Sequence, residues 1–212
     1  MPCRPPRARW VAETVTLVDY GAGNLFSVHN ALRAAGAGQI TVTAEPSGIT
    51  TADRIVLPGV GAFGAAMRAL SSVPGMIEAL NEAVIAKGRP FLGVCVGMQL
   101  MAEAGEEHGV TAGLGWLNGR VRQLPVSPEL KVPHMGWNDV RPRADHPLIA
   151  EGEAYFLHSF AYEGEGVLAD TDHGGAVTAA IGRDNMAGVQ FHPEKSQRYG
   201  LELLSRFLEW RP

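Results

Sequence analysis

Through the first half of the chain, short runs of aliphatic and β-branched residues alternate with stretches whose apolar positions recur every three to four residues. Val15-Thr16-Leu17-Val18-Asp19 reads as a strand, and Gly21-Ala22-Gly23 turns it into a helix with Asn24 placed as N-cap. Leu25, Val28, Leu32 and Ala35 fall at helical spacing, and Gly36 ends the run. A second strand is predicted at Gln39–Thr43. A third, Arg54–Leu57, leads into Pro58-Gly59-Val60-Gly61, and helical stretches follow near 62–71 and 76–87. The fourth apolar run, Pro90–Cys95, stops at Gly97 and continues as a helical Met98–Met101. Strands alternating with helices predict a parallel, doubly wound core.

From about residue 115 to 191 the pattern changes to short β-like runs: Arg120–Leu124, Ala154–Phe160, Val177–Ile181 and Ala187–Phe191. This half is expected to hold mixed or antiparallel sheet. A last helix, Tyr199–Glu209, would lay Leu201, Leu204 and Leu208 against that sheet. Residues 15–212 contain no repeat and no linker, so they are expected to form a single domain, behind a Pro/Arg-rich segment 1–14 that reads as a disordered tail.

Composition narrows the class. With 212 residues, 46% of them hydrophobic and 19% charged, the chain suits one substantial α/β core. A net charge of -4 gives no broad positive field, which argues against nucleic acid and favours a small polar substrate. No apolar run approaches the ~20 residues that span a bilayer, and the basic start lacks the apolar stretch of a signal peptide, so a cytoplasmic location away from membranes is expected. Of the two cysteines, Cys3 falls in the tail, leaving Cys95 as the one with structural context.

Gly93-Val94-Cys95-Val96-Gly97 sits where a buried strand must turn sharply into a helix, as in a Gly-x-Ser-x-Gly nucleophile elbow. The small flanking residues let the backbone pass close by, and a helix N-terminus would favour the thiolate. By itself the motif fits a buried, inert cysteine equally well. Gly188-Val189-Gln190-Phe191-His192-Pro193-Glu194 breaks the tie. A second apolar strand ends near the same sheet edge, Pro193 keeps His192 extended, and Glu194 is close enough to orient the imidazole. A metal site is a poor reading, because no third ligand lies at a recognisable spacing. Past the third strand, the glycines flanking Val60 allow a peptide N–H to point inward. Val96 N–H and the Val60 loop are therefore candidate oxyanion donors.

Taken together, Asp19-Tyr20-Gly21-Ala22-Gly23-Asn24, Pro58-Gly59-Val60-Gly61, the Cys95 elbow through Gln99, Pro133-His134-Met135-Gly136-Trp137-Asn138 and Phe191-His192-Pro193-Glu194-Lys195-Ser196 resemble one family over residues 15–211. It is the glutaminase subunit of imidazole glycerol phosphate synthase, of the class I glutamine amidotransferases. The elbow and His-Pro-Glu mark the class, and the remaining motifs mark the narrower family.

The resemblance implies a three-layer α/β fold with a mostly parallel central sheet and a mixed or antiparallel C-terminal part. It implies a catalytic triad of Cys95, His192 and Glu194, with an oxyanion hole at Val60, Gly61 and Val96. It further implies glutamine held by Gly59, Gln99, His158, Ser159 and Phe160, without a cofactor. Asn24, Met135, Trp137 and Lys195 would face a (βα)8-barrel cyclase subunit in a heterodimer. The competing readings are a class I glutaminase of a pyridoxal phosphate or anthranilate synthase, a cysteine peptidase or chaperone-like elbow protein, and a non-catalytic binding module.

Overall fold

The computed structural model describes residues 13–126 and 130–212. Cys3 and the expected tail up to residue 12 lie outside the described residues. Glu13, inside the segment expected as tail, pairs with Arg54 and Arg211, each at 2.9 Å, and β1 (Thr14–Val18) follows directly. Arg54 is 2% exposed and also donates to the Phe207 carbonyl at 2.8 Å, so the two ends of the domain are joined through one guanidinium.

After β1 come α1 (Leu25–Ala34), β2 (Gln39–Thr43), α2 (Pro46–Thr50), β3 (Arg54–Gly59), α3 (Phe63–Ser71) and α4 (Met76–Leu80), which runs on as a π-helical turn at Asn81–Ala86. Then follow β4 (Phe91–Cys95), α5 (Val96–Gln99), β5 (Ala102–Gly105), β6 (Thr111–Ala112), β7 (Leu117–Gln123), β8 (His134–Pro142), β9 (Gly152–His158) and β10 (Phe160–Gly164). The chain closes with β11 (Val167–Asp172), β12 (Ala176–Arg183), β13 (Met186–Val189), a 3-10 turn at Pro193–Lys195 and α6 (Gln197–Glu209).

The large sheet has the order β2-β1-β3-β4-β13-β12-β11-β8-β9. From β2 to β13 the strands are parallel, and from β13 to β9 every pairing is antiparallel. β3 and β4 are buried along their whole length, which is why they read as unbroken apolar runs: a parallel strand is covered on both faces. Asn24 caps α1 as predicted, its side chain accepting from Ser27 N–H at 3.2 Å. α1 packs on α6, while α2, α3 and α4 form a second helical group.

The differences from the sequence reading have local causes. α2 has five residues, too few to show a helical period. α5 stops at Gln99, its fourth residue, because Leu100 and Met101 turn into β5. A second sheet, β10-β7-β5-β6, takes up the chain after the elbow. The run Ala154–Phe160 is two strands, β9 and β10, divided at Ser159 and assigned to different sheets. In α6 the buried stripe is Gly200, Leu203, Leu204 and Phe207, with Leu201 and Leu208 at its margins. The helix starts two residues earlier than predicted, and the close approach of Gly200 to the Pro193 backbone sets its rotation.

Candidate active site

The parallel strands β3, β4 and β13 are neighbours in register, with Gly59 beside Cys95 and Val189 beside Val94. Their C-terminal ends deliver the Val60 loop, Cys95 and the Gln190–Glu194 segment to one edge, where open α/β sheets bind ligands. Cys95 itself has φ 54 and ψ -113, a positive-φ conformation that a non-glycine residue adopts only when its surroundings enforce it. Gly97 shows what does the enforcing: a Cβ there would run into the Leu57 carbonyl. The thiol is free and 4% exposed.

His192 Nδ1 lies 2.8 Å from Glu194 Oε1, both side chains being almost wholly buried. Its backbone is clamped, the N–H donating to the Tyr155 carbonyl at 2.9 Å and the carbonyl accepting from Ser196 Oγ at 2.6 Å. Ser196 Oγ also accepts from Tyr155 N–H at 2.9 Å, so β9 holds the imidazole in place. Burial disfavours charge on His192, but hydrogen bonds to Cys95 and Glu194, and the negative charge of both, outweigh it and raise the imidazole to about 9. The Gln190 amide reaches the sulfur, its Nε2 lying 3.7 Å from Cys95 Sγ.

These groups open into a cavity of about 310 Å³, at the small end for a ligand site and suited to a single amino acid. Val60, Gly61 and Val96 line it beside Cys95 and His192, and Gln99, His158, Ser159 and Phe160 form the facing wall. Glu107 adds a carboxylate, one oxygen of which accepts from Phe63 N–H at 2.8 Å.

A cysteine at an elbow, a hydrogen-bonded histidine–carboxylate pair and an amino-acid-sized cavity meet at one sheet edge, and comparisons with known proteins give the family. Residues 16–210 match the family model described as "Glutamine amidotransferase class-I". The chain is 61% identical to "Imidazole glycerol phosphate synthase subunit HisH" of Zymomonas mobilis, over 95% of this chain and 98% of that one. It is 50% identical to the protein of the same name from Brucella suis, over 93% and 99%. The chain belongs to the HisH family of class I glutamine amidotransferases. Among solved structures, "Structure of PurLQS from Thermotoga maritima" superposes with a TM-score of 0.73 at 16% identity, covering 93% of this chain and 98% of that one. A "Crystal structure of glutamine amidotransferase" gives 0.71 at 17% identity, covering 92% and 97%. At that identity they show the fold, the class I amidotransferase architecture.

With this HisH-family membership in hand, the predicted site residues can be placed one by one. Cys95, His192 and Glu194 converge, as do Val60, Gly61, Val96, Gln99, His158, Ser159 and Phe160. Gly59 does not reach the cavity wall: it is buried behind the loop, where a Cβ would lie 2.7 Å from Gly97 N and 2.8 Å from Tyr20 Oη. Its part is to let backbones approach. Met135 and Trp137 are 65% and 47% exposed on the outward face of β8, and Lys195 is exposed with its Nζ 5.9 Å from the Tyr155 ring centroid. Asn24 is exposed and occupied in capping α1, which packs beside the Pro193–Lys195 turn. Sequence reasoning missed Glu107, Gln190, Ser196 and Tyr20, whose hydroxyl donates to the Pro58 carbonyl at 2.8 Å beneath the Val60 loop. Tyr20, Gln190 and Ser196 lie within motifs the sequence singled out, without a role being read for them, and Glu107 offered no signal.

The sequence expectation that a helix N-terminus would favour the thiolate loses its weight here. α5 has four residues, too few to build a macrodipole, so charge at the sulfur is met by His192 and Gln190 instead.

Proposed function

We propose that this chain is the glutaminase subunit that hydrolyses glutamine to glutamate and ammonia and passes the ammonia to a (βα)8-barrel cyclase. The observation that carries this reading is the convergence of Cys95 with a His192 that is hydrogen-bonded to Glu194, at the wall of an amino-acid-sized cavity. Cys95 thiolate attacks the side-chain carbonyl carbon of glutamine, and the oxyanion formed is met by Val96 N–H and the Val60–Gly61 loop. As the C–N bond breaks, the His192 imidazolium gives its proton to the departing nitrogen, leaving a glutamyl thioester and ammonia. Water then attacks the thioester, His192 takes its proton, and the thiolate leaves glutamate behind. Glu194 holds the imidazole through Nδ1, so that Nε2 serves both transfers. Glu107 is placed to take the substrate ammonium, a cation its carboxylate would attract inside the cavity.

The partner assignment rests on surface chemistry next to the cavity. Met135 pairs with Leu157 across β8 and β9, and Leu157, 37% exposed, is also on the cavity wall. Trp137 lies edge-on to Tyr155, ring centroids 6.2 Å apart. An exposed apolar strip running to the mouth of a site fits a protein partner that receives the product unprotonated. In the cyclase it would be incorporated into imidazole glycerol phosphate, with release of an aminoimidazole carboxamide ribonucleotide. The relatives' name describes a subunit of a complex, and among the described residues no helix is long and apolar enough to cross a membrane.

Cys95→Ala in the assembled complex is expected to abolish synthesis from glutamine, a loss of more than about 10³-fold, and to leave synthesis from ammonium salts within about two-fold of the unsubstituted complex. Equal loss with both nitrogen sources would overturn the assignment.

A further inference from the structure

On the far side of the cavity wall a hydrogen-bonded line of side chains runs from Cys95 to the surface strand β8. Gln190 Nε2 points at Cys95 Sγ, and Gln190 Oε1 accepts from Gln99 Nε2 at 2.9 Å. Gln99 Nε2 also donates to the Phe160 carbonyl at 3.0 Å, so both of its N–H bonds are taken and the side chain offers the cavity its oxygen. The same Phe160 carbonyl is met by His158 Nδ1 at 2.9 Å, and His158 Nε2 is met by His134 Nδ1 at 3.0 Å. His134 Nε2 lies 3.1 Å from Asn138 Nδ2, which also donates to the Asp172 carbonyl at 2.7 Å.

Every proton in this line is determined by its neighbours. A carbonyl only accepts, so His158 carries its hydrogen on Nδ1 and presents a bare Nε2. His134 must then donate from Nδ1 and accept at Nε2, where the Asn138 amide supplies the hydrogen. Burial holds both imidazoles neutral in the neutral range, pulling His158 down to about 3 and His134 to about 4. The strand geometry is built for it. In a straight strand residues four apart are about 13 Å apart, yet these two side chains meet, with Gly136 between them at φ 132. Met135 and Trp137 alternate with them and face outward, so one strand carries both the exposed apolar strip and the inner line.

We propose that His134 is a positioning residue of the glutaminase site. Through His158 it fixes the Phe160 carbonyl, and with it the orientation of the Gln99 carboxamide toward the substrate. The inference rests on the glutaminase reading above. Removing the His134 N–H frees His158 to rotate and leaves Phe160 held from one side, so the loss falls on substrate binding more than on bond breaking.

The test uses the assembled complex with glutamine as the varied substrate. His134→Phe keeps the stack on Phe156 (centroids 4.7 Å apart) but neither hydrogen bond. It is expected to raise KM for glutamine about ten-fold, the worth of one buried hydrogen bond, with kcat within about two-fold. His134→Asn keeps a donor where Nδ1 stands and is expected to restore KM. Should His134→Phe fail to fold, Asn138→Asp serves: a carboxylate accepts from Nε2, turns the Nδ1 lone pair on His158, and should raise KM likewise. An unchanged KM in these variants, or equal damage from His134→Phe and His134→Asn, overturns the positioning role while glutamine hydrolysis by the unsubstituted complex upholds the site. No hydrolysis by that unsubstituted complex overturns the glutaminase reading itself, and the inference with it.

Discussion

Burial alone would strip His192 of its proton, yet Cys95 and Glu194 together keep it there up to about 9. In the proposed reaction the histidine therefore starts charged, able to donate to the leaving nitrogen before it serves as base. With the folded value raised, the active imidazolium is lost as pH climbs through about 9. The alkaline limb of the kcat/KM profile for glutamine is expected there. Glu194→Gln removes one of the groups holding the proton, so the limb should move to lower pH, and a limb that stays in place would contradict the coupling. At this scale the sequence was informative where a residue sat in a motif whose geometry is local: Cys95 in its elbow, His192 and Glu194 two positions apart. Glu107 and Gln190 gave little sign, because a glutamate after a short strand and a glutamine within an apolar run look like many others until the cavity brings them to the thiol.

The elbow is the element on which the site depends. Cys95 holds its positive φ because β4 must turn at once under the β3 loop, and the small residues around it make that crossing possible. A methyl group on Gly97 would collide with the Leu57 carbonyl, and one on Gly93 would lie 2.7 Å from the Gly97 carbonyl oxygen. Backbone cannot yield there without pulling β3 from β4. Gly97→Ala is expected to cost roughly 3 kcal/mol of stability, read as a lower urea midpoint, together with loss of Cys95 labelling by a glutamine-mimicking electrophile. Full stability in this variant would show that the crossing has slack. Elements with a strong local signal were legible, as β2 and the capped start of α1 show. The strands β5, β6, β8 and β11 were not. β8 carries Gly136 and Asn138, poor strand formers, and it is held extended by pairing with β9 and β11.

Across the whole molecule, buried histidines set opposing limits on stability. His134 and His158 are held neutral, their folded values depressed from 6.5 to about 4 and about 3, first by burial and then by neighbouring histidines, against which His158 is raised in part by its bond to Phe160. The unfolded chain binds those protons more readily, so their contribution is intact above pH 6.5 and is lost as pH falls toward 3. His192 acts in the other direction: its contribution is full below 6.5 and is lost as pH rises through about 9. The melting temperature is expected to peak near pH 6.5 and to fall on both sides, and His158→Phe should flatten the acid side. A melting temperature that keeps rising below pH 5 would refute this balance.

The sequence by itself determined the doubly wound core, the elbow, the candidate triad residues and the family, because each is written in short-range patterns: strand runs, glycines at a tight turn, a proline that keeps a histidine extended. What only the tertiary structure decided are the relations between distant segments. These are the pairing of β13 beside β4 that brings Gln190 to Cys95, the second sheet that carries Phe160 to Gln99, and the curled β8 that joins His134 to His158. Such contacts link residues up to 95 positions apart. No local preference encodes them; they follow from the one packing that buries the apolar strands on both faces and leaves these polar groups each other as hydrogen-bond partners.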